Sequence, residues 1–168
     1  MISWACQAAP DLAPHLIALA ALESGFRPDA IANTACPNLP GYRPPRPGDY
    51  PELSVGLLQH NTCGGLGGSS CCNISQEELA ALTDPVENLR RGAEAIRSTL
   101  NTTGDIYAAL RPWYNARNIL YREGWFVGEQ PNPCQTVDGS AGNGAGTNFN
   151  VTLLVGAAVL MLLLLEAM

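Results

Sequence analysis

Glu23 is the carboxylate whose sequence surroundings best suit acid–base chemistry. It continues a line of leucines, Leu12, Leu16 and Leu19, spaced along one face of a predicted helix. The leucines place that face in the core, and burial without a partner raises the pKa of a carboxyl group towards the range of a general acid. The alternative is that the helix frays at Ser24 and that Glu23 reaches water. The periodicity alone does not separate these two interpretations.

The six cysteines could form disulfides or a metal site. An even number in a short chain favours disulfides, although it does not fix the pairing, and disulfides would imply an oxidising compartment or a thermophile. A metal site would combine His60 with three cysteines at the spacing H-x2-C-x7-C-C, which is not a usual zinc pattern. We therefore predict no metal and expect disulfides, with free thiols as the other alternative. The candidates are Cys6, Cys36, Cys63, Cys71, Cys72 and Cys134.

The composition predicts one acidic domain. A chain of 168 residues corresponds to about one ordinary domain. Nine basic and fifteen acidic residues give a net charge of −6, which argues against a nucleic-acid-binding protein because such proteins carry clustered basic residues. Hydrophobic residues make up 46% of the chain, which is enough for a core.

Short helices joined by long loops are predicted for the domain formed by residues 1–137. The first covers residues 11–24, where Pro14 is tolerated in the opening turn. Ser75 and Asp84 are each followed three residues later by Glu, which is the pattern of a helix N-cap, so two further helices begin there. The second of these presents a predicted buried stripe of Leu89, Ala93, Ile96 and Leu100.

The rest of this domain is also predicted to be helical or irregular. Asp105 caps a helix over 106–111, and a last helix lies near 116–122. No stretch alternates as a β-strand does, and residues 37–54 contain six prolines, which predicts an irregular insertion. The expected fold class is therefore all-α.

The C-terminal residues predict a membrane anchor. Residues 151–165 are apolar and uncharged, and a helix over 149–168 would reach about 30 Å, which is enough for one transmembrane span. Residues 138–148 are rich in Gly, Ser and Asn and are expected to form a flexible linker. The first residues show no signal peptide, so residues 1–137 would face the cytoplasm of a cell.

Four short motifs occur in order along the chain. Residues 23–30 read E-S-G-F-R-P-D-A, residues 55–59 V-G-L-L-Q, residues 84–88 D-P-V-E-N and residues 113–116 W-Y-N-A. Together they resemble the signatures of the soluble lytic transglycosylase domain, a relative of goose-type lysozyme: E-S-x-F-x-P-x-A, G-L-M-Q, D-P-x-x-N and A-Y-N-A-G. The resemblance covers about residues 11–120.

The resemblance implies a lysozyme-like α fold with peptidoglycan bound in a groove between helices. It makes Glu23 the single catalytic acid and base, with no metal or organic cofactor. It also implies that Tyr114 donates a hydrogen bond to the catalytic carboxylate, and that the loop of Gln59 lines the sugar site, whereas Asp84 and Asn88 look structural. The implied substrate-binding residues are Ser24, Gly56, Gln59, Tyr114 and Asn115.

The chain departs from the family pattern at several positions. Residues 37–54 look like an insertion between the first two motifs. Ala32 stands where a Ser is common, Leu58 replaces the usual Met, and Arg117 stands where the A-Y-N-A-G motif ends in Gly. These departures fall on the groove, and the acid itself is retained.

The expected function is therefore that of a peptidoglycan lytic transglycosylase, which cleaves the β-1,4 bond between N-acetylmuramic acid and N-acetylglucosamine and leaves a 1,6-anhydro product. One alternative is a lysozyme-type hydrolase of a bacterial envelope, in which Asp29, Asp49 or Glu52 would position water. Another is an inactive glycan-binding membrane protein with the same fold.

The predicted topology also gives an expected location. A domain that faces the cytoplasm cannot reach peptidoglycan, whereas an enzyme in the internal membrane of a phage virion could open the cell wall during infection. The bacterial envelope is the alternative location. Expected partners are peptidoglycan glycan strands, a lipid membrane through residues 149–168 and other virion proteins, but no nucleic acid.

Overall fold

Six α-helices make up most of the regular secondary structure in the computed structural model, which describes residues 1–63, 72–128 and 130–134. A short 3-10 helix, Arg111–Trp113, lies between the last two α-helices. In chain order the helices are α1 (Ile2–Ala8), α2 (Ala13–Ser24), α3 (Gln76–Thr83), α4 (Pro85–Thr103), α5 (Ile106–Ala109) and α6 (Tyr114–Arg122).

The predicted N-caps are confirmed. The Ser75 hydroxyl accepts a hydrogen bond from the backbone N–H of Glu78 at 3.0 Å, and the Asp84 carboxylate accepts one from the N–H of Glu87 at 2.8 Å. Asp105 caps α5 in the same way. Each bond satisfies a backbone donor that the first helical turn leaves without a partner, which is why these side chains fix where the helices begin.

The core lies between α1, α2 and α4. Leu16 and Leu19 of α2 are fully buried, as are Leu89 and Ile96 from the predicted stripe of α4. Helix α1, which the sequence patterns do not predict, packs against both of these helices. The predicted leucine face of α2 is therefore confirmed as a core face, and it leads directly to Glu23.

A small antiparallel sheet corrects the all-α prediction. Its strands are β1 (Ile31–Asn33), β2 (Leu53–Val55) and β3 (His60–Asn61), in the order β1-β2-β3. Ile31 pairs with Val55, and Val55 also pairs with His60. The strands have only two or three residues, too few to show alternation, and β2 is buried throughout. The predicted irregular segment 37–54 thus connects the first two strands and includes part of the second.

The predicted membrane anchor also needs correction. Within the described residues, no helix combines the length and the apolar character that crossing a membrane requires. The longest of these helices, α4, carries three Arg and two Glu. The expected transmembrane element of the fold and the single-pass membrane localisation are therefore wrong on this finding. The segment 149–168 and the linker 138–148 lie outside the described residues, whereas Met1–Cys134 form one compact unit.

Candidate active site

Glu23 lies in the last turn of α2, at the end of the leucine face. It is half-buried, and its carboxylate accepts no hydrogen bond from any described residue. Removal from water raises the pKa of Glu23 from 4.5 to about 7, and the nearby negative charge of Glu52 adds to the rise. A carboxyl group with this pKa holds its proton near neutral pH and can also release it.

The end of α2 is held by its own side chains. The buried Ser24 hydroxyl donates a hydrogen bond to the carbonyl of Ala20 at 3.1 Å, and Gly25 ends the helix in the left-handed conformation at φ 60°. Arg27 donates from Nε to the carbonyl of Ser24 at 3.1 Å. The helix therefore does not fray before Glu23. Ser24, predicted to bind substrate, is buried with its hydroxyl engaged, which makes it a positioning residue for Glu23.

Glu52 is the second carboxylate of the site. It precedes β2, is half-buried, and accepts a hydrogen bond from the Ser54 hydroxyl at 2.8 Å. Its backbone N–H donates to the hydroxyl of Thr34 at 3.1 Å, which fixes it to the end of β1. Glu52 is close enough for its charge to raise the pKa of Glu23. The structure therefore brings together two carboxylates that lie 29 positions apart in the sequence.

The two other acidic candidates lie in different surroundings. Asp29 is exposed. Asp49 accepts hydrogen bonds from the backbone N–H of Arg46 at 2.8 Å and from the Arg43 guanidinium at 2.7 Å, and these bonds hold the pKa of Asp49 below its ordinary value. Neither contributes to the raised pKa of Glu23. Of the three residues expected to position water in a hydrolase, Glu52 alone acts on the candidate acid.

The loop of residues 56–59 is joined to the segment that follows Glu23. The N–H of Gly56 donates to the carbonyl of Ala30 at 2.8 Å, and Nε2 of Gln59 donates to the same carbonyl at 3.1 Å and to that of Gly56 at 2.9 Å. These bonds hold Gln59 at φ 48°, a conformation that is uncommon outside glycine. The side-chain amide group of Gln59, expected to contact sugar, is therefore already used to shape the loop.

Asn88 fixes the same loop from the other side. It is fully buried, and its Nδ2 donates to the carbonyls of Val55 at 3.1 Å and Leu82 at 2.7 Å. Its Oδ1 accepts from the N–H of Leu58 at 2.9 Å. A Cβ on Gly56, which has φ +81°, would lie 2.1 Å from Nδ2 of Asn88. Gly56 is thus required by close packing, and the expected structural role of Asn88 is that of a hydrogen-bonded clamp on the loop.

The fourth motif reaches the loop through Trp113 and not through Tyr114. The buried indole N–H of Trp113 donates to the carbonyl of Leu58 at 2.8 Å. Tyr114 is 61% exposed, and its hydroxyl makes no hydrogen bond with the described residues, so the bond expected between Tyr114 and Glu23 is absent from this part of the chain. Asn115 is exposed as well. Both remain accessible for contacts outside the folded chain.

The cysteines form disulfides as predicted. Cys6 in α1 is bonded to Cys134, and Cys36 after β1 to Cys72 before α3. Cys63 is also in a disulfide, and Cys71 lies outside the described residues. Cys72 is bonded to Cys36 and therefore cannot be a thiolate ligand in the alternative metal site. His60, the other member of that alternative site, is hydrogen-bonded as well: its Nε2 lies 2.8 Å from the backbone carbonyl oxygen of Asn88.

No protein-family model, no curated protein and no solved structure matches this chain significantly. The resemblance to lytic transglycosylases therefore depends on the four motifs and on the way they meet in space. The first two motifs are joined at Ala30, the second and third at Asn88, and the second and fourth at Trp113. Four separate stretches of sequence thus meet at one loop.

Proposed function

We propose that this protein is a peptidoglycan lytic transglycosylase in which Glu23 is the catalytic acid and base. The observation that carries the proposal is a half-buried carboxyl group without a hydrogen-bond partner among the described residues, with its pKa raised to about 7. Further support comes from its setting, because the residues of all four family-like motifs converge on the loop 56–59.

Glu23 would act twice in the reaction. In its protonated form it donates a proton to the glycosidic oxygen between N-acetylmuramic acid and N-acetylglucosamine, and the bond from C1 to that oxygen breaks. The N-acetyl group of N-acetylmuramic acid stabilises the positive charge that develops at C1 of that sugar. The Glu23 carboxylate then accepts the proton of the 6-hydroxyl of the same sugar, whose oxygen bonds to C1 and closes the 1,6-anhydro ring.

The raised pKa suits both steps. A general acid and base works best when its pKa lies near the working pH, because both protonation states are then populated. An ordinary glutamate would be almost fully ionised at pH 7 and could not donate. Burial, the larger cause, favours the protonated form before the reaction, and Glu52 strengthens the same preference.

The position of Glu52 favours a lysozyme-type hydrolase as the second candidate. Hydrolysis of a glycosidic bond ordinarily uses two carboxyl groups, one as acid and the other as base or nucleophile. Glu52, whose carboxylate accepts a hydrogen bond from the hydroxyl of Ser54, would then activate a water molecule while Glu23 acts as the acid. The product would then carry a reducing end in place of the anhydro ring.

The test uses the full chain on purified peptidoglycan, with mass spectrometry of the released glycan ends. For the wild type we expect 1,6-anhydro ends, which are lighter than reducing ends by one water. Glu23→Gln should lower the rate of glycan release by about 100- to 10,000-fold. Glu77→Gln is the matched control, because Glu77 is exposed on α3 and has no partner among the described residues.

The other outcomes identify the alternatives. Reducing ends in the wild-type product, together with a loss of rate in Glu52→Gln comparable to that in Glu23→Gln, would show that the enzyme is a hydrolase and not a transglycosylase. Full activity in Glu23→Gln would refute the assignment of the acid. No release by wild type would refute both enzymes and leave an inactive glycan-binding protein.

A further inference from the structure

The guanidinium of Arg117 contacts two tyrosine rings. Its guanidinium carbon lies 4.4 Å from the ring centre of Tyr107 on α5 and 5.2 Å from that of Tyr114 on α6. Such distances are typical of cation–π contacts, which orient the guanidinium plane. Arg117 stands where the family motif has Gly, so this arrangement belongs to the present chain.

No carboxylate of the described residues contacts the guanidinium of Arg117. Its Nε is buried and donates no hydrogen bond within the described residues. A buried charged donor without an acceptor is unfavourable, and folded proteins usually satisfy such groups. Four other arginines of this structure do contact carboxylates: Arg43, Arg90, Arg91 and Arg97.

The surrounding aromatic side chains form a supported surface. The Tyr107 ring also packs against Tyr121, with ring centres 5.3 Å apart, and against Phe126 at 5.4 Å. Tyr114 and Tyr121 are 61% and 64% exposed, so the surface is open to a ligand. We call Tyr107, Tyr114 and Arg117 the Arg117 cluster.

The cluster begins next to the loop of the candidate site. Tyr114 directly follows Trp113, whose indole donates to the carbonyl of Leu58 in the loop 56–59. Helix α6, which carries Arg117, also packs against α2, the helix that ends with Glu23 and Ser24. The cluster is therefore joined to the loop by one step along the backbone, from Trp113 to Tyr114.

We propose that the Arg117 cluster is a subsite for a carboxylate on the substrate. The guanidinium offers two parallel N–H donors that match a carboxylate, and the tyrosine rings hold it in place, which lowers the entropy lost on binding. This inference rests on the proposed function, because the peptide side chains of peptidoglycan carry free carboxylates close to the glycan. The cluster then makes the protein prefer peptide-bearing strands over bare glycan.

The test compares soluble peptidoglycan strands with the same strands after an amidase has removed the peptides. For Arg117→Gln, KM should rise by about tenfold or more on peptide-bearing strands relative to stripped strands, because hydrogen bonds to charged groups are lost. Arg117→Lys should behave similarly, since an ammonium group keeps the charge but cannot form the planar pair. Arg122→Gln, an exposed arginine of the same helix, is the control and should leave the ratio unchanged.

Equal losses on both substrates would overturn the subsite, because a structural role of Arg117 does not depend on the peptides. A second measurement needs no activity: the NMR signal of the Arg117 Nε–H in the wild-type full chain is followed during addition of N-acetylalanine or its uncharged amide. A change in this signal with N-acetylalanine but not with its amide supports the subsite, and no change with N-acetylalanine overturns it. Failure of wild type to cleave either substrate would refute the proposed function, and the NMR result would then decide on the subsite by itself.

Discussion

Replacement of Glu23 by Gln should stabilise the protein in neutral and alkaline solution. The substitution keeps the size of the side chain and its hydrogen-bonding capacity but removes the charge. The charge is what makes Glu23 unfavourable, since its carboxylate lies half-buried near Glu52 without a hydrogen-bond donor among the described residues. A group of this kind favours catalysis at the expense of folding stability.

The magnitude follows from the pKa. In the folded protein the pKa of Glu23 is raised from 4.5 to about 7. The folded state therefore binds a proton more tightly than the unfolded state, and the stability gained in this way is full below pH 4.5 and is lost as the pH rises through 7. At about 1.4 kcal/mol per pKa unit the loss could reach about 3 kcal/mol, and water around a half-buried group reduces it to about 1–3 kcal/mol.

The assay is urea unfolding with the disulfides intact, between about pH 4 and pH 8. Glu23→Gln should be more stable than wild type by about 1–3 kcal/mol near pH 8, and the difference should vanish towards pH 4. The exposed control Glu77→Gln should stay within about 0.5 kcal/mol throughout. Equal stabilities of wild type and Glu23→Gln near pH 8, or a difference that does not change with pH, would refute the reasoning.

Three further changes test other parts of the fold. Burial lowers the pKa of His15, so stability should fall as the pH drops below 6.5. The test compares urea unfolding of Glu23→Gln with that of the double variant that also carries His15→Asn. Glu23→Gln removes the opposing pH dependence of Glu23, so the difference between the two variants gives the contribution of His15. Asn88→Ala should cost about 3 kcal/mol or more in urea unfolding, because it leaves buried backbone groups without partners. Replacement of Cys6 and Cys134 by Ser should cost about 2–5 kcal/mol in the same assay, and no loss would contradict a structural disulfide.

The helix starts could be predicted because their causes are local. A side chain at Ser75 or Asp84 accepts a hydrogen bond from a backbone N–H only three residues away, so the signal lies within one turn. The buried stripe of α4 is equally local, since its period is that of the helix itself. These features need no knowledge of the rest of the chain.

The sheet could not be predicted for the opposite reason. Strands β1 and β2 pair Ile31 with Val55 across a long intervening segment, and each is too short to show alternation. Their stability comes from burial and from pairing with distant residues, which a local pattern does not encode. The prolines of 37–54 correctly mark a connection, but they do not show that strand β2 begins within it.

The candidate site was predictable in its residue types but not in its contacts. The motifs identify Glu23 and Gln59 by position, yet they imply a hydrogen bond from Tyr114 to the acid that the described structure lacks. No local sequence pattern predicts that Glu52 lies near Glu23, because the two residues are brought together by the fold of the segment between α2 and β2. A motif records which side chains are present, whereas their orientation depends on packing.

The raised pKa of Glu23 is a property of the folded chain, since its causes are burial and the charge of the distant residue Glu52. Ser24 holds the end of α2, and the carbonyl of Ala30 accepts two hydrogen bonds from the loop 56–59. Asn88 fixes that loop from the opposite side. Since desolvation is the larger cause of the shift, a change that lets water reach the carboxylate lowers its pKa. Catalytic competence at neutral pH should consequently be lost before the fold is, because the acid depends on a more exacting geometry than the core does.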